Sequence, residues 1–395
     1  MSATILQIIP ELKTGGAEKS VVEMTEAVVR EGGRSLVVTE GGALADDVIA
    51  KGGKVIEMPV ATKNPFKMWL NSRKIAKLIR DENISLVHAR SRAPAWSGLW
   101  AARAAKVPFV TTYHGAYNQK SALKGFYNGV MARGDWVIAN SKFTADLIMG
   151  RHKPDPTRLR VIYRGVDVDE IDPNAVSIDR VAALRSAWGI DDEEYKDKKV
   201  ILHAARLTEW KGQRDVIEAA AELKRQGDER SVFILAGDAQ GRLAYETELK
   251  ELIARDGLET HVKLVGHVSD MAAAYKLADI VVVASREAEA FGRAAAEAQA
   301  MGCPVIATDI GAPPEFLNLG KGEAQATAWL VPVADGKAIA GKISTILEFD
   351  ANELSQMAEI ARHYVKETFT TLNMQNQTIE VYEALLGGSL ATVSA

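Results

Sequence analysis

Short apolar segments rich in β-branched residues alternate with helical stretches along this chain, and the alternation runs twice. In the first run, residues 5–9, 35–39, 55–58, 86–89, 109–113 and 136–139 have strand character and stop at Gly, Pro or polar residues. Helical patterns lie between them, at 16–31, 65–81, 93–105, 117–133 and 142–149. The pattern restarts at residue 200, with strands at 200–204, 232–236, 262–265, 280–284, 304–308 and 328–331. Its helices fall at 213–226, 245–256, 271–277, 293–301 and 336–349. Strand–helix–strand units repeated in this way build a parallel sheet with helices on both faces. The expected fold class is therefore α/β, with two doubly wound domains separated near the acidic, proline-bearing stretch 166–199. A length of 395 residues, too many for one ordinary core, agrees with two domains. Residues 351–386 are helical with no strand to follow. Ligands are expected at the carboxyl ends of the strands, facing a cleft between the domains.

Charge divides along the chain. The net charge of −4 hides 25 Lys+Arg against 14 Asp+Glu in residues 1–165, and the reverse imbalance, 23 against 38, in the remainder. A basic first half suggests an anionic partner: phosphorylated lipid, anionic glycan or nucleic acid. The plain alternative is that two related halves differ in charge without consequence. Nucleic acid is disfavoured, because no recognised motif is present and the basic residues are scattered over several elements. The single cysteine, Cys303, excludes an intrachain disulfide and fits a cytoplasmic location. No apolar run approaches the roughly 18–20 residues of a membrane span. The first ten residues have strand character and lack a signal-peptide pattern.

Four segments carry candidate chemistry. The most informative is the run from Ser285 to Glu297, where Glu289 and Glu297 have seven residues between them. A buried-looking strand enters the run and a helix of small residues leaves it. Such a turn leaves free N–H groups at a helix start, which suits an anion, while the carboxylates can accept from sugar hydroxyls. Arg206 and Lys211 leave another strand end before a helix; two cations there can neutralise a diphosphate, although two solvated surface charges explain them equally well. Gly15 and Gly16, after Lys13 and Thr14, open the first helix and let backbone approach a ligand. The third glycine of the dinucleotide fingerprint is missing, so a nicotinamide cofactor is not supported. Gly237 and His267 mark two further strand ends, a weak signal for a base or ribose. Asp167-Val168-Asp169, the one Asp-x-Asp, sits in the expected linker and is far more readily structural than metal-binding.

Taken together, these segments resemble the large retaining family of GT-B glycosyltransferases over nearly the whole chain. The elements that carry the resemblance are Gly15-Gly16 with Glu18, His114-Gly115, Asn140-Ser141, Gly165-Val166-Asp167, Arg206 with Lys211-Gly212, and Glu289 through Glu297. Within the family the chain is most similar to bacterial lipopolysaccharide-core transferases, mannosyltransferases among them. The resemblance implies an N-terminal acceptor domain, 1–166, a nucleotide-sugar domain, 167–370, and a C-terminal helix, 371–395, packing back on the first. It implies that Arg206 and Lys211 stabilise the leaving diphosphate, that Glu297 holds ribose hydroxyls and that Glu289 holds the transferred sugar. The backbone of Phe291, Gly292 and Arg293 would contact sugar and phosphate, Gly16 would approach the diphosphate, and His114 would lie near the sugar. Alone, a histidine at a strand end is most often structural. Two positions depart from the family pattern. Arg164 stands where asparagine is frequent, and Arg293 where an aliphatic residue is frequent; Arg293 either contacts an anion or pairs with a neighbouring carboxylate.

Fixed cations and helix N–H groups can stabilise a leaving diphosphate without a metal, so metal-independent transfer with no cofactor beyond a UDP- or GDP-linked sugar is expected. In this family attack is thought to come from the face the leaving group departs, with the diphosphate taking the acceptor proton. Acceptor contacts are expected from Arg90, Arg92, Lys120 and Lys124. The helix at 65–81 mixes cations with Phe66, Trp69 and Leu70. It fits either an ordinary domain helix or peripheral contact with the inner leaflet, where a lipid-linked acceptor would sit. A sugar-nucleotide epimerase on the same architecture and a non-catalytic binder of anionic ligands are the competing functions.

Overall fold

The computed structural model describes residues 2–13, 15–117, 119–320 and 326–392. The chain divides into two compact units, Met1–Arg164 with Thr371–Ala395, and Gly165–Thr370.

The first unit contains β1 (Thr4–Ile8), β2 (Arg34–Thr39), β3 (Lys54–Glu57), β4 (Leu86–Ala89), β5 (Phe109–Tyr113), β6 (Trp136–Ala139) and β7 (Leu159–Val161). All pair in parallel, in the order β3-β2-β1-β4-β5-β6-β7. Every residue of β1, β4 and β5 is buried, so these strands are mostly apolar without alternation, and the polar side chains they do carry need partners inside. Gln7, in the middle of β1, is an exception whose amide is fully used. It donates to Val21 O at 3.2 Å and Thr25 Oγ1 at 3.1 Å, and accepts from Arg90 Nε at 2.8 Å. The C-terminal helix Thr371–Leu386 places Met374, Ile379, Val381 and Tyr382 in one apolar cluster with Met24, Val28, Val110 and Ile138. Its Tyr382 hydroxyl lies 2.6 Å from Nδ1 of the buried His88, whose Nε2 meets Thr112 Oγ1 at 2.7 Å.

The second unit contains β8 (Lys199–Ala204), β9 (Ser231–Ala236), β10 (Val262–Gly266), β11 (Ile280–Val283), β12 (Val305–Thr308) and β13 (Ala328–Val331), all parallel, in the order β10-β9-β8-β11-β12-β13. Its core joins Ile201, Phe233, Leu235, Val282 and Ile306 of the sheet to Val216, Ala220, Ile339 and Ile343 of the covering helices. In both units the winding reverses next to the first strand, between β1 and β4 and between β8 and β11. Those are the topological switch points where doubly wound sheets take ligands.

Several boundaries differ from the sequence reading. The first division falls after Arg164 rather than at 166, because Val166 forms a bridge with Thr370 and donates its N–H to Phe369 O at 2.8 Å. The stretch 117–133 is not one helix: Ser121 caps Ala122–Asn128, and a 3-10 turn, Gly129–Ala132, follows. The strand β7 and the helix Ala45–Ala50, three and six residues long, are too short to show a period. Among the described residues no helix is long and apolar enough to cross a membrane.

Candidate functional site

The second unit builds its site from the loops that leave β8 and β11. Those loops are joined at three levels. The Arg286 N–H donates to Trp210 O at 2.7 Å. The Arg286 guanidinium clasps the Asp215 carboxylate, Nε to Oδ2 at 2.8 Å, with Asp215 itself only 1% exposed. Gly212, at φ +74°, caps the helix Gln213–Arg225 and presses against the end of the neighbouring loop; any Cβ there would collide with the carbonyl of Ala284. Both the left-handed backbone and the close approach require glycine.

Lys211 and Glu289 meet across this junction. Lys211 Nζ lies 2.7 Å from Glu289 Oε1, with both side chains largely covered, and 4.4 Å from the centre of the Trp210 ring. The Ser285 hydroxyl donates to the same carboxylate oxygen. The Glu289 backbone is pinned as well: its carbonyl accepts from Ala312 N–H at 2.9 Å, and it bridges Gly311, where a Cβ would lie 2.6 Å from that carbonyl. Arg206 is exposed and makes no side-chain hydrogen bond or ion pair among the described residues. Gly237 sits against it, since a Cβ there would fall 3.2 Å from the Arg206 Cα. His267, just past β10, is exposed and tied to none of these groups.

Glu297 lies one turn into the helix Arg293–Met301. Gly292, at φ +100°, is the N-cap of that helix and has no side chain to offer its first N–H groups. Both carboxylate oxygens of Glu297 are engaged: Oε1 by Arg293 Nε at 2.6 Å, Oε2 by the Tyr275 hydroxyl at 3.1 Å. Burial, reinforced by the Glu297 charge, pushes the Tyr275 hydroxyl well above its ordinary range, so it stays a donor. Of the two readings of Arg293, the ion pair with a neighbouring carboxylate is the one found. Phe291 turns inward, its ring 4.7 Å from Phe316, and offers only backbone to a ligand.

The first unit gathers a basic group at the ends of β1, β4 and β5. Gly15 and Gly16 open the helix Gly16–Arg30; Thr14 lies outside the described residues. A side chain on Gly16 would collide with the Arg164 guanidinium. Arg164 Nη2 lies 2.6 Å from His114 Nδ1, while His114 Nε2 is buried without a partner among the described residues. Burial, then the adjacent Arg164 charge, holds the His114 imidazole well below its ordinary range. Arg90 does not face outward as an acceptor ligand would. It is 3% exposed and turns toward Gln7 and Ser20, with Nη2 unpartnered. Arg92 reaches Asn128 Oδ1 at 3.0 Å and covers the Tyr117 ring at 4.1 Å. Lys120 and Lys124 are exposed and form no ion pair among the described residues. In the linker, Asp167 Oδ1 accepts the N–H groups of Asp169 and Glu170, a local turn. Among the described residues no cluster of three His, Cys, Asp or Glu could hold a metal.

Sequence reasoning did not single out Asp215, Arg286, Ser285 or Tyr275. The one available signal was Asp215, an acidic residue on the buried face of an amphipathic helix, where a charge requires a partner.

Two parallel, doubly wound units, each with polar groups at its switch point, define the GT-B class of fold. Residues 188–364 match the model for glycosyl transferases group 1, and residues 14–170 match that for glycosyltransferase family 4. A crystal structure of a glycosyltransferase from Rickettsia africae is 32% identical, covering 98% of this chain and 100% of that one, with a TM-score of 0.88. Anabaena Alr3699/HepE, solved in complex with UDP and glucose, is 25% identical over 96% of this chain and 99% of its own, with a TM-score of 0.79. The D-inositol 3-phosphate glycosyltransferase of Salinispora arenicola is 34% identical over 189 residues, 46% of this chain and 41% of that relative, so the match spans about two fifths of its length. The chain belongs to the group 1 family of GT-B glycosyltransferases.

Proposed function

We propose that the protein is a retaining, metal-independent glycosyltransferase. It takes a hexose from a UDP- or GDP-linked donor and passes it to an anionic glycan or lipid-linked acceptor of the cell envelope, of the lipopolysaccharide-core kind. The observation that carries this reading is the covered Lys211–Glu289 pair at the β8/β11 switch point, where Arg206 also leaves β8 exposed and without an ion pair among the described residues. A diphosphate arriving there meets two cations, and the ammonium it draws away leaves Glu289 free to accept from sugar hydroxyls. As the sugar–phosphate bond breaks, negative charge grows on the diphosphate, and Arg206, Lys211 and the positive end of the helix Arg293–Met301 stabilise it. Glu297, oriented from both sides, serves the ribose. With both glutamates occupied in holding hydroxyls, the leaving diphosphate receives the acceptor proton.

The UDP complexes of Alr3699/HepE support a nucleotide-diphosphate donor. The name of the Salinispora relative, together with the basic first half, supports a phosphate-bearing acceptor. Exposed Phe66, Trp69 and Leu70 among Lys67, Arg73 and Lys74 support peripheral contact with an anionic leaflet. A thermal-shift panel of UDP-, GDP-, ADP- and CMP-sugars identifies the donor, because the true ligand raises Tm by mass action. Product anomers read by NMR, with and without chelator, then test retention and metal independence. Epimerisation of the donor in the absence of acceptor would replace this reading, and failure to co-sediment with anionic vesicles at physiological salt would remove the membrane contact.

A further inference from the structure

Arg164 interrupts the family pattern, and its side chain does not point at solvent. It runs from the exit of β7 to the start of the helix Gly16–Arg30 and on to the imidazole at the end of β5. Nη2 lies 2.6 Å from His114 Nδ1, and Nη1 occupies the space that a side chain on Gly16 would fill. A guanidinium has five N–H donors, no acceptor and a permanent charge. At this distance His114 Nδ1 must therefore be the acceptor and carry the lone pair. The single proton of the neutral ring then sits on Nε2, which is buried and has no partner among the described residues.

We propose that Arg164 is a positioning residue that fixes His114 as the neutral Nε2–H tautomer, so that the ring presents one hydrogen-bond donor to the donor sugar and serves as neither acid nor base. The proposal rests on the glycosyl-transfer reading for the identity of the ligand, but not for the tautomer itself. Three elements converge to make the arrangement: the β5 terminus supplies the ring, the β7 exit the guanidinium, and Gly16 the room for it. The charged and titratable groups that bear on the ring are Arg164, Arg90 and His88. Burial and both arginines disfavour the imidazolium, so acidification does not convert the donor into a cation within the ordinary histidine range. Gly16 acquires a second reason to be glycine, since alanine there would displace Arg164.

The test uses the full chain labelled with 15N-histidine, with long-range 1H–15N spectra recorded from about pH 5.5 to about pH 8, the span in which an ordinary imidazole titrates. The His114 signals are those lost in H114Q. Wild type is expected to show the Nε2–H pattern throughout. R164A should show mixed tautomers and a titration moved upward, though not fully to the ordinary value, because burial persists. R164Q, which keeps a donor and loses the charge, should restore the Nε2–H pattern, and G16A should relax it. In turnover assays R164A should lower kcat about tenfold while leaving the donor KM within about twofold, the signature of a group that acts late in the reaction. An Nδ1–H ring in the wild type, or an R164A spectrum and kcat unchanged from wild type, would overturn the proposal. The spectra need no substrate, so a protein that transfers no sugar yet shows the Arg164-dependent tautomer would refute the function and leave the positioning role intact.

Discussion

Lys211 and Glu289 neutralise one another across two loops, Nζ to Oε1 at 2.7 Å. The two residues are 78 positions apart in sequence and meet because β8 and β11 are neighbours at the switch point. Each holds the other away from solvent, and the Ser285 hydroxyl fixes the carboxylate from a second side. On the proposed function, removing Lys211 takes away a cation that would stabilise the leaving diphosphate and also releases Glu289. K211A should therefore lower kcat by about a hundredfold or more, in the range found when one preorganised charge-stabilising group is lost. E289Q should mainly slow transfer, with little change in nucleotide affinity. The double variant should lose much less than the two single losses combined, because the groups act as a unit. Steady-state kinetics on the four proteins measures this; additive losses would mean that the two residues act independently.

Glu297 has a different dependence. Its carboxylate is held by Arg293 at 2.6 Å and by Tyr275 at 3.1 Å, so on the proposed function it would meet a ribose as a fixed acceptor. E297Q should weaken donor binding about tenfold, since a hydrogen bond to a charged group contributes about 1.5–3 kcal/mol. R293L should weaken it less, because Tyr275 still holds Oε2. Calorimetric titration with the nucleoside diphosphate decides between these: an R293L loss larger than that of E297Q would show Arg293 touching the nucleotide itself.

Much of this arrangement was legible in the sequence. The double run of strand and helix specified two parallel sheets, because strands buried on both faces are apolar without alternation. Arg206, Lys211 and Glu289 were legible as candidates because they lie in loops that leave strand ends, and Glu297 because it sits a turn into the helix that leaves the same loop. What was not legible depends on contacts between distant segments. Nothing near Asp215 in sequence announces Arg286, and nothing near His114 announces Arg164; the winding of each sheet brings them together. The burial of Arg90 was not legible for the same reason. This residue follows a strand end as a ligand would, but Gln7 on the adjacent β1 draws it inward.

The Asp215–Arg286 clasp carries a stability prediction. Asp215 is 1% exposed, and Arg286 supplies its charge partner. R286A would leave a buried carboxylate unpaired, a loss that typically costs about 3–5 kcal/mol. Replacing both, as in D215L/R286M, should cost less than R286A alone, because no charge is stranded. Urea unfolding monitored by circular dichroism measures both values. An R286A cost under about 1 kcal/mol would indicate that water reaches the site and takes over the role of the arginine.

His203 sets a pH dependence with a definite sign. The ring is 2% exposed at the penultimate position of β8, with Nδ1 donating to Val282 O at 2.8 Å and Nε2 unpartnered. Burial lowers its folded pKa from 6.5 to about 4. The unfolded chain therefore binds a proton that the folded chain refuses between these values. The His203 contribution is fully present above pH 6.5 and is lost as pH falls toward 4. Its size is about 3 kcal/mol over the window, with a slope approaching 1.4 kcal/mol per pH unit. His88 and His114, also held low by burial, act in the same direction. H203N replaces the Nδ1–H donor with an amide N–H at a similar position and removes the titration. Its unfolding free energy should fall less steeply than that of wild type between about pH 6 and about pH 4.5, and parallel curves for the two proteins would show that the buried ring is not the group responsible.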